Sequence, residues 1–341
     1  MSKARCVVWI DPAQVALLKG IIERGNFELI GAGSPDSART GQVASSLETQ
    51  PIDDLRHAFA SSDADLFILG DPGSFGNQAS DPDFEGLKAA HGRNIGIATF
   101  EPIPATASEI AGTLYAESLQ TGSLNELIRL TPLTRHTPTI VELLTVLETF
   151  GPIRSCNIAI GVPSVMGSLG ARLFDAMDLI RALVGVPNMI EAAYISPAAG
   201  RGLHPLPGHS LRDLHGEITT NLRFSDGRCA SMLLSDQIGS TTLSMTLIGV
   251  EGLITVNNQG FIWQDPTGKE IDSFKYSPTE NIDHTEIHIA EQLIELCSGV
   301  GPKRSPIDYQ SILSMTHSTL LSTRTGQGES PRSVEQIMLS M

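Results

Sequence analysis

Residues 6–22, CVVWIDPAQVALLKGII, decide the fold class of this chain. The wholly apolar run Cys6–Ile10 predicts a parallel strand that is buried on both faces. Pro12 suits the first turn of a helix, and apolar residues at positions 15, 17, 18, 21 and 22 give that helix a face to bury. A buried strand followed directly by an amphipathic helix indicates an alternating β/α domain.

The alternation continues through the first 122 residues. Further strands are predicted at Phe27–Ala32, Leu66–Leu69 and Ile95–Phe100, with helices at Ile52–Phe59 and Phe84–Ala90 between them. Strands that alternate with helices imply a parallel sheet with helices on both faces. Residues 1–122 are therefore predicted to form a Rossmann-like, doubly wound domain.

The pattern changes after about residue 150. Strands are predicted at Ile153–Val162 and Met189–Ile195, with a helix at Phe174–Val184 between them, and Ile218–Leu234 reads as a hairpin turning at Ser225–Gly227. Residues 123–341 are therefore predicted to form an α/β domain with a large, mostly antiparallel sheet. One face of such a sheet is either solvated or paired with another subunit. The closing helices, predicted at 285–297 and 307–325, are candidates for packing back on the first domain.

Composition excludes several classes of protein. The 341 residues carry a net charge of −15 without a basic stripe, so neither nucleic acid nor an anionic membrane is an expected partner. No apolar stretch approaches the roughly 20 residues that a transmembrane helix needs. Four cysteines lie far apart, which favours a reduced, cytoplasmic protein and gives no metal-ligand pair. His284 and His288 are predicted to lie on an exposed helix face, and no metal is expected.

Several segments match one family in their order and spacing. They are Pro102–Glu109 (PIPATASE), Arg135–Pro138 (RHTP), the stretch from Gly167 to Gly185, Phe224–Arg228 (FSDGR), Ile248–Ile254 (IGVEGLI) and Ser322–Gly326 (STRTG). Together they resemble the Gfo/Idh/MocA oxidoreductases, the family of glucose–fructose oxidoreductase and inositol dehydrogenase. The resemblance implies an NAD- or NADP-dependent dehydrogenase of sugars or polyols. It also implies a homodimer or higher homo-oligomer that associates through the C-terminal sheet.

The nucleotide positions depart from the family pattern. A dinucleotide fold needs glycines at the first strand-to-helix turn, but Asp11 and Pro12 stand there instead, which favours an ordinary turn. Ser34 and Arg39 follow the second strand, where they could suit a 2′-phosphate. The resemblance further assigns Asp71, Pro72 and Pro102 to the border of the nucleotide.

The catalytic positions depart from the pattern as well. The resemblance puts Glu101 where the family has a lysine and Asp175 where it has a histidine, with Asp178 at the motif's last aspartate. If two carboxylates faced one pocket, the pKa of one should rise, and the pair could transfer protons. Alternatively, both are solvated remnants, paired with Arg135 or Arg172.

The resemblance also indicates residues that would contact a substrate. Arg135, His136 and Arg172 are the expected contacts to a sugar-like ligand, and a loop that includes His204, His209 and His215 is expected to cover the site. Two functions remain open. One is an NAD(P)-dependent sugar or polyol dehydrogenase with an altered site, and the other is a non-catalytic pseudoenzyme that binds a ligand or a protein partner.

Overall fold

The computed structural model describes residues 3–76, 81–106, 109, 124–198, 205–276, 284–298 and 306–340. The predicted domain boundary at residues 122–123 and His204 lie outside these residues. The helices are α1 Val15–Arg24, α2 Ser37–Ser46, α3 Leu55–Ser61, α4 Asp81–Gly92, α5 Leu124–Leu127, α6 Pro138–Phe150, α7 Leu169–Leu183, α8 His284–Ser298, α9 Tyr309–Thr325 and α10 Pro331–Ser340. None of the described helices is long and apolar enough to span a bilayer.

The strands form two separate sheets. They are β1 Arg5–Trp9, β2 Glu28–Gly33, β3 Leu66–Leu69, β4 Gly96–Thr99, β5 Arg129–Leu130, β6 Ile153–Gly161, β7 Met189–Ile195, β8 Glu217–Arg223, β9 Cys229–Ser235, β10 Thr242–Gly249, β11 Gly252–Asn257, β12 Gly260–Gln264 and β13 Glu270–Lys275. The predicted combination of a Rossmann-like sheet and a large antiparallel sheet is confirmed.

The first sheet is parallel, with the strand order β2-β1-β3-β4-β5. β1 and β3 are almost wholly buried, as the apolar runs predict. The chain leaves β1 toward β2 on one side and returns to β3 on the other, so the order reverses between β1 and β3. In open α/β sheets, ligands bind in the crevice at the carboxyl ends of the strands at such a switch point.

The second sheet has the order β13-β12-β11-β10-β6-β9-β8-β7 and is antiparallel except between β6 and β9. Helices α7 and α9 cover its inner face. Its outer face exposes the large apolar side chains Leu233, Ile248 and Ile262. Helix α8 returns to the first sheet, where it packs on α1 and β4.

Helix starts differ from the predicted ones because of capping. The predicted helix at Phe174 begins at Leu169, since the Ser168 hydroxyl accepts the Ala171 N–H at 3.1 Å. The helix predicted from Ile52 begins at Leu55, since Asp54 accepts the N–H groups of Arg56 and His57. α2, α5, β5, α6, β13 and α10 were not predicted.

Candidate functional site

The carboxyl ends of β1, β3 and β4 face the 3-10 turn Ser164–Met166, which leads from the second sheet into α7. A cavity of about 220 Å³ lies there. We call it the cleft cavity. Its polar lining includes Asp11, Gln14, Asp71, Glu101, Ser168, Arg212 and His215.

The first strand-to-helix turn is closed by its own side chains. Asp11 caps the 3-10 turn Pro12–Gln14 by accepting the Ala13 N–H at 2.8 Å, while Gln14 Oε1 accepts the Asp11 N–H at 3.1 Å. This reciprocal cap uses backbone donors that a glycine-rich turn would present to a pyrophosphate. The Asp11 carboxylate also places a negative charge where the phosphates would lie.

Gln14 also fills the crevice at the switch point. Its side chain is buried, and Nε2 donates to the carbonyl oxygens of Gly70 at 3.0 Å and Val165 at 3.1 Å. Gly70 directly follows β3, and Val165 belongs to the 3-10 turn Ser164–Met166. One side chain therefore joins β1, β3 and the other sheet across the space that a dinucleotide would cross.

The residues after β2 contact the turn after β1 and the loop after β3. Arg39 pairs with Asp11 at 3.3 Å and with Asp36 at 3.1 Å, so its guanidinium already faces two carboxylates. The backbone of Gly73 packs so closely on Pro35 that no side chain fits between them, which joins the loops after β2 and β3. The Ser34 hydroxyl is buried and has no hydrogen-bond partner among the described residues.

Glu101 lies buried at the centre of the cleft. Its carboxylate accepts the N–H and the hydroxyl of Ser168, each at 2.6 Å, at the start of α7. Burial raises the pKa of Glu101 to about 7, although the Ser168 hydrogen bonds and the nearby charges of Arg212 and Arg172 oppose this shift. Near neutral pH this carboxyl group can therefore both accept and donate a proton.

Arg212 holds the loops around the cavity. Its Nε donates to the Pro102 carbonyl at 2.9 Å, and Nη1 donates to the carbonyl of Phe75 at 2.8 Å. Asp71 lines the cavity nearby, where burial raises its pKa and the neighbouring Asp11 adds to the shift. Pro72 is buried directly after it.

His215 forms a dyad with a buried carboxylate. Its Nδ1 lies 2.6 Å from Asp236 Oδ2, and Asp236 also accepts the Gly216 N–H at 2.8 Å. The hydrogen bond to Asp236 raises the pKa of His215, and the negative charge of Glu101 contributes. Although burial opposes it, hydrogen bonding from His215 and Gln237 holds the pKa of Asp236 below its usual range. This arrangement orients the imidazole, which lines the cleft cavity.

The residues predicted on and before α7 lie in a separate buried cluster, which consists of Thr134, Arg135, Arg172, Asp175 and Asp178. Asp175 accepts the Thr134 N–H at 2.7 Å and the Thr134 hydroxyl at 2.6 Å, and lies 3.7 Å from Arg172. Arg135 pairs with Asp178 at 2.8 Å. Burial raises the pKa of Asp175, and raises that of Asp178 to about 6.

His136 belongs to the same 3-10 turn as Arg135, Thr134–His136. The structure thus does not place Glu101 and Asp175 on one pocket, and neither side chain is solvated.

The cleft therefore combines expected residues with others that the sequence did not single out. Asp11, Asp71 and Glu101, each considered separately in the sequence, line one cavity together with His215 from the loop expected to cover the site. Gln14, Arg212 and Asp236 were missed, because only long-range contacts bring them to the cleft. The described residues contain no group of histidine, cysteine and carboxylate side chains arranged to hold a metal ion.

Comparison with known proteins shows the fold. The sequence matches no protein-family model, and no curated protein matches it significantly. A levoglucosan dehydrogenase solved with NADH and levoglucosan has a TM-score of 0.67 and 14% identity, over 96% of this chain and 99% of that one. The myo-inositol dehydrogenase of Corynebacterium glutamicum has a TM-score of 0.65 and 15% identity, with the same coverage. GenD2 of gentamicin A biosynthesis, solved with NAD, has a TM-score of 0.64 and 15% identity, over 97% of each chain. The chain has the same fold as these dehydrogenases, with a parallel Rossmann-like sheet followed by a large, mostly antiparallel sheet.

Proposed function

We propose that this chain binds a sugar- or polyol-like ligand in the cleft cavity and exchanges protons with it through Glu101 and His215. The main support is the position and the pKa of these two side chains. Both side chains line one cavity, and the environment of each raises its pKa, that of Glu101 to about 7. Acid–base catalysts need a pKa close to the working pH, and active sites tune carboxyl groups in this way.

The two groups suit an enolisation. In a hydroxylated carbonyl compound, the ionised Glu101 would accept a proton from the carbon beside the carbonyl. The protonated His215 would donate its Nε2 proton to the carbonyl oxygen, giving the neutral enol and leaving Glu101 protonated. Asp236 holds His215 through Nδ1 and so leaves Nε2 for the ligand. The carboxylates of Asp11 and Asp71 would accept hydrogen bonds from ligand hydroxyl groups.

The residues present do not fit a dinucleotide. The turn after β1 uses its donors for its own cap, Gln14 bridges the switch point, and Arg39 is paired with Asp11 and Asp36. A pyrophosphate would have to break these contacts and approach the Asp11 carboxylate. The proposed chemistry therefore contains no hydride transfer.

Hydrogen–deuterium exchange tests the proposal. Aldoses, ketoses and keto-polyols incubated in D₂O with the wild-type protein should lose the proton signal beside the carbonyl in ¹H NMR spectra. Glu101→Gln and His215→Asn should abolish this exchange. His57→Asn, an exposed histidine on α3, should leave it unchanged. Exchange that survives both cleft variants would refute the assigned roles.

A second candidate is an NAD(P)-dependent sugar or polyol dehydrogenase. The orphaned, buried hydroxyl of Ser34 at the end of β2 favours it, since a nucleotide ribose would offer that group a partner. The fold neighbours solved with NADH or NAD give further support. Reduction of NAD or NADP in the presence of a sugar, followed by ultraviolet absorbance, would establish this function. Ligand binding with neither exchange nor reduction would favour the non-catalytic alternative.

We also propose that the chain associates through the outer face of the second sheet. Leu233 on β9, Ile248 on β10 and Ile262 on β12 lie on that face and are 42–49% exposed. An antiparallel sheet whose outer face exposes large apolar side chains is a candidate surface for pairing with a second subunit. Light scattering should give at least twice the chain mass of 36.4 kDa, and Leu233→Asp should lower it. A wild-type monomer would contradict the assignment.

A further inference from the structure

A second cavity, of about 470 Å³, lies beside the cleft cavity on the other side of the turn that leads into α7. Val165, Gly167 and Ser168 line the cleft cavity, whereas Val162 and Met166 line the second one. The second cavity extends over the inner ends of β6, β10 and β11, and it includes residues of α8.

The lining of the second cavity is rich in hydrogen-bonding groups and basic side chains. Hydroxyl and amide groups come from Thr139, Thr241, Asn257 and Asn258, among others, and the basic groups are Arg172 and His288. None of the described residues that line it is an aspartate or a glutamate. In a chain of net charge −15, such a lining creates a local site for negative charge.

Arg172 is the unusual member of this lining. Its side chain is 2% exposed, yet neither Nε nor Nη2 has a hydrogen-bond partner among the described residues. The nearest carboxylate, Asp175, stays 3.7 Å from Nη1, and the Thr134 N–H and hydroxyl donate to its two oxygens. A guanidinium remains charged at every physiological pH, so its unused donors are costly to bury.

The position of Arg172 in α7 also favours a bound anion. Arg172 lies in the first turn of α7, where the helix dipole disfavours a cation. A bound anion would supply acceptors for the unused donors of the guanidinium. His288, 13% exposed on α8, is the second basic group on the cavity wall, which differs from the expected exposed position. Its Nδ1 lies 3.4 Å from the Glu291 carboxylate, so Arg172 is the main cationic group of the lining.

We propose that the second cavity binds a polyhydroxylated anion, with Arg172 pairing with its carboxylate or phosphate group. The threonine and asparagine side chains would hydrogen-bond the hydroxyl groups of the same molecule. This site is separate from the cleft cavity and does not depend on proton transfer by Glu101 and His215. If the hydrogen–deuterium exchange expected at the cleft cavity is not observed, the proposal for the second cavity is not affected.

Calorimetric titration of the full chain tests the assignment. The probes are gluconate and glucuronate for the carboxylate, glucose 6-phosphate for the phosphate, and glucose as the neutral match. At least one anion should bind at least ten times more tightly than glucose. The probe that binds best identifies whether the anionic group is a carboxylate or a phosphate.

The variants separate charge from packing. Arg172→Met keeps most of the side-chain volume and should abolish binding of the anion, while Arg172→Lys should retain part of it. Thr139→Val is isosteric and should weaken binding several-fold, and it tests the cavity even if Arg172→Met does not fold. Equal affinity for glucose, no binding of any anion, or full affinity in folded Arg172→Met would overturn the proposal. If Arg172→Met does not fold, full affinity in Thr139→Val would overturn it.

Discussion

Replacement of Glu101 by glutamine offers the most quantitative test of the site. The pKa of Glu101 is raised from 4.5 to about 7 in the folded chain. A raised carboxyl pKa means that folding favours the protonated form, so this contribution to stability is complete below about pH 4.5 and is lost as the pH rises through 7. At about 1.4 kcal/mol per pKa unit, ionisation of Glu101 costs about 3 kcal/mol of folding free energy at high pH.

Glutamine suits the position. It keeps an acceptor for the Ser168 N–H, and its amide can donate to the Ser168 hydroxyl, which can turn toward the Leu211 carbonyl at 3.2 Å. The variant removes the titration and retains the shape. Relative to wild type, it should therefore gain about 2–3 kcal/mol of stability between about pH 5 and about pH 8.5.

Urea unfolding at the two pH values measures this difference. The comparison with wild type removes the contributions of all groups that titrate alike in both proteins. Glu148→Gln on the exposed side of α6 is the matched control and should follow wild type at both pH values. A Glu101→Gln difference that stays constant with pH to within about 0.5 kcal/mol would show that the pKa of Glu101 is not raised.

Three further variants test other parts of the account. Gln14→Ala removes the side chain that bonds to Asp11, Gly70 and Val165, and it should cost about 2–4 kcal/mol in urea unfolding because buried partners lose their hydrogen bonds. Asp178→Ala breaks a buried ion pair with Arg135 and should cost about 3–5 kcal/mol in the same assay; a loss below about 1 kcal/mol would contradict the pairing. Asp236→Asn should move the titration of His215 to lower pH in NMR spectra, since the carboxylate is the main cause of its raised pKa. An unchanged titration would remove Asp236 from the dyad.

Local patterns in the sequence predict much of the fold. Apolar runs such as Cys6–Ile10 identify the strands of the first sheet, and alternation identifies the hairpin of β8 and β9. Two of the missed elements lack such signals. β5 has two residues, and β13 is an exposed edge strand with mixed polarity. α6 does carry a signal, because Pro138 stands at its first position and apolar residues recur at positions 140, 143, 144 and 147.

The site was less predictable than the fold. Motif spacing leads to Glu101, and the glycine-free turn leads to Asp11. Motif spacing cannot show that the Gln14 side chain crosses the cleft to Val165, because those residues lie 151 positions apart. It also suggested that Asp175 shares a pocket with Glu101, whereas Thr134 and Arg172 hold that carboxylate in the neighbouring cluster. His215 was visible in a histidine-containing loop, but its partner Asp236 is 21 residues away.

Calorimetric titration of the wild-type chain with NADH and NADPH tests the central claim, that Gln14, Asp11 and their partners close the dinucleotide crevice. We expect no heat of binding for either nucleotide up to about 1 mM, which corresponds to a binding free energy weaker than about −4 kcal/mol. Binding in the micromolar range, lost in Arg39→Ala, would contradict it and establish the dehydrogenase function instead.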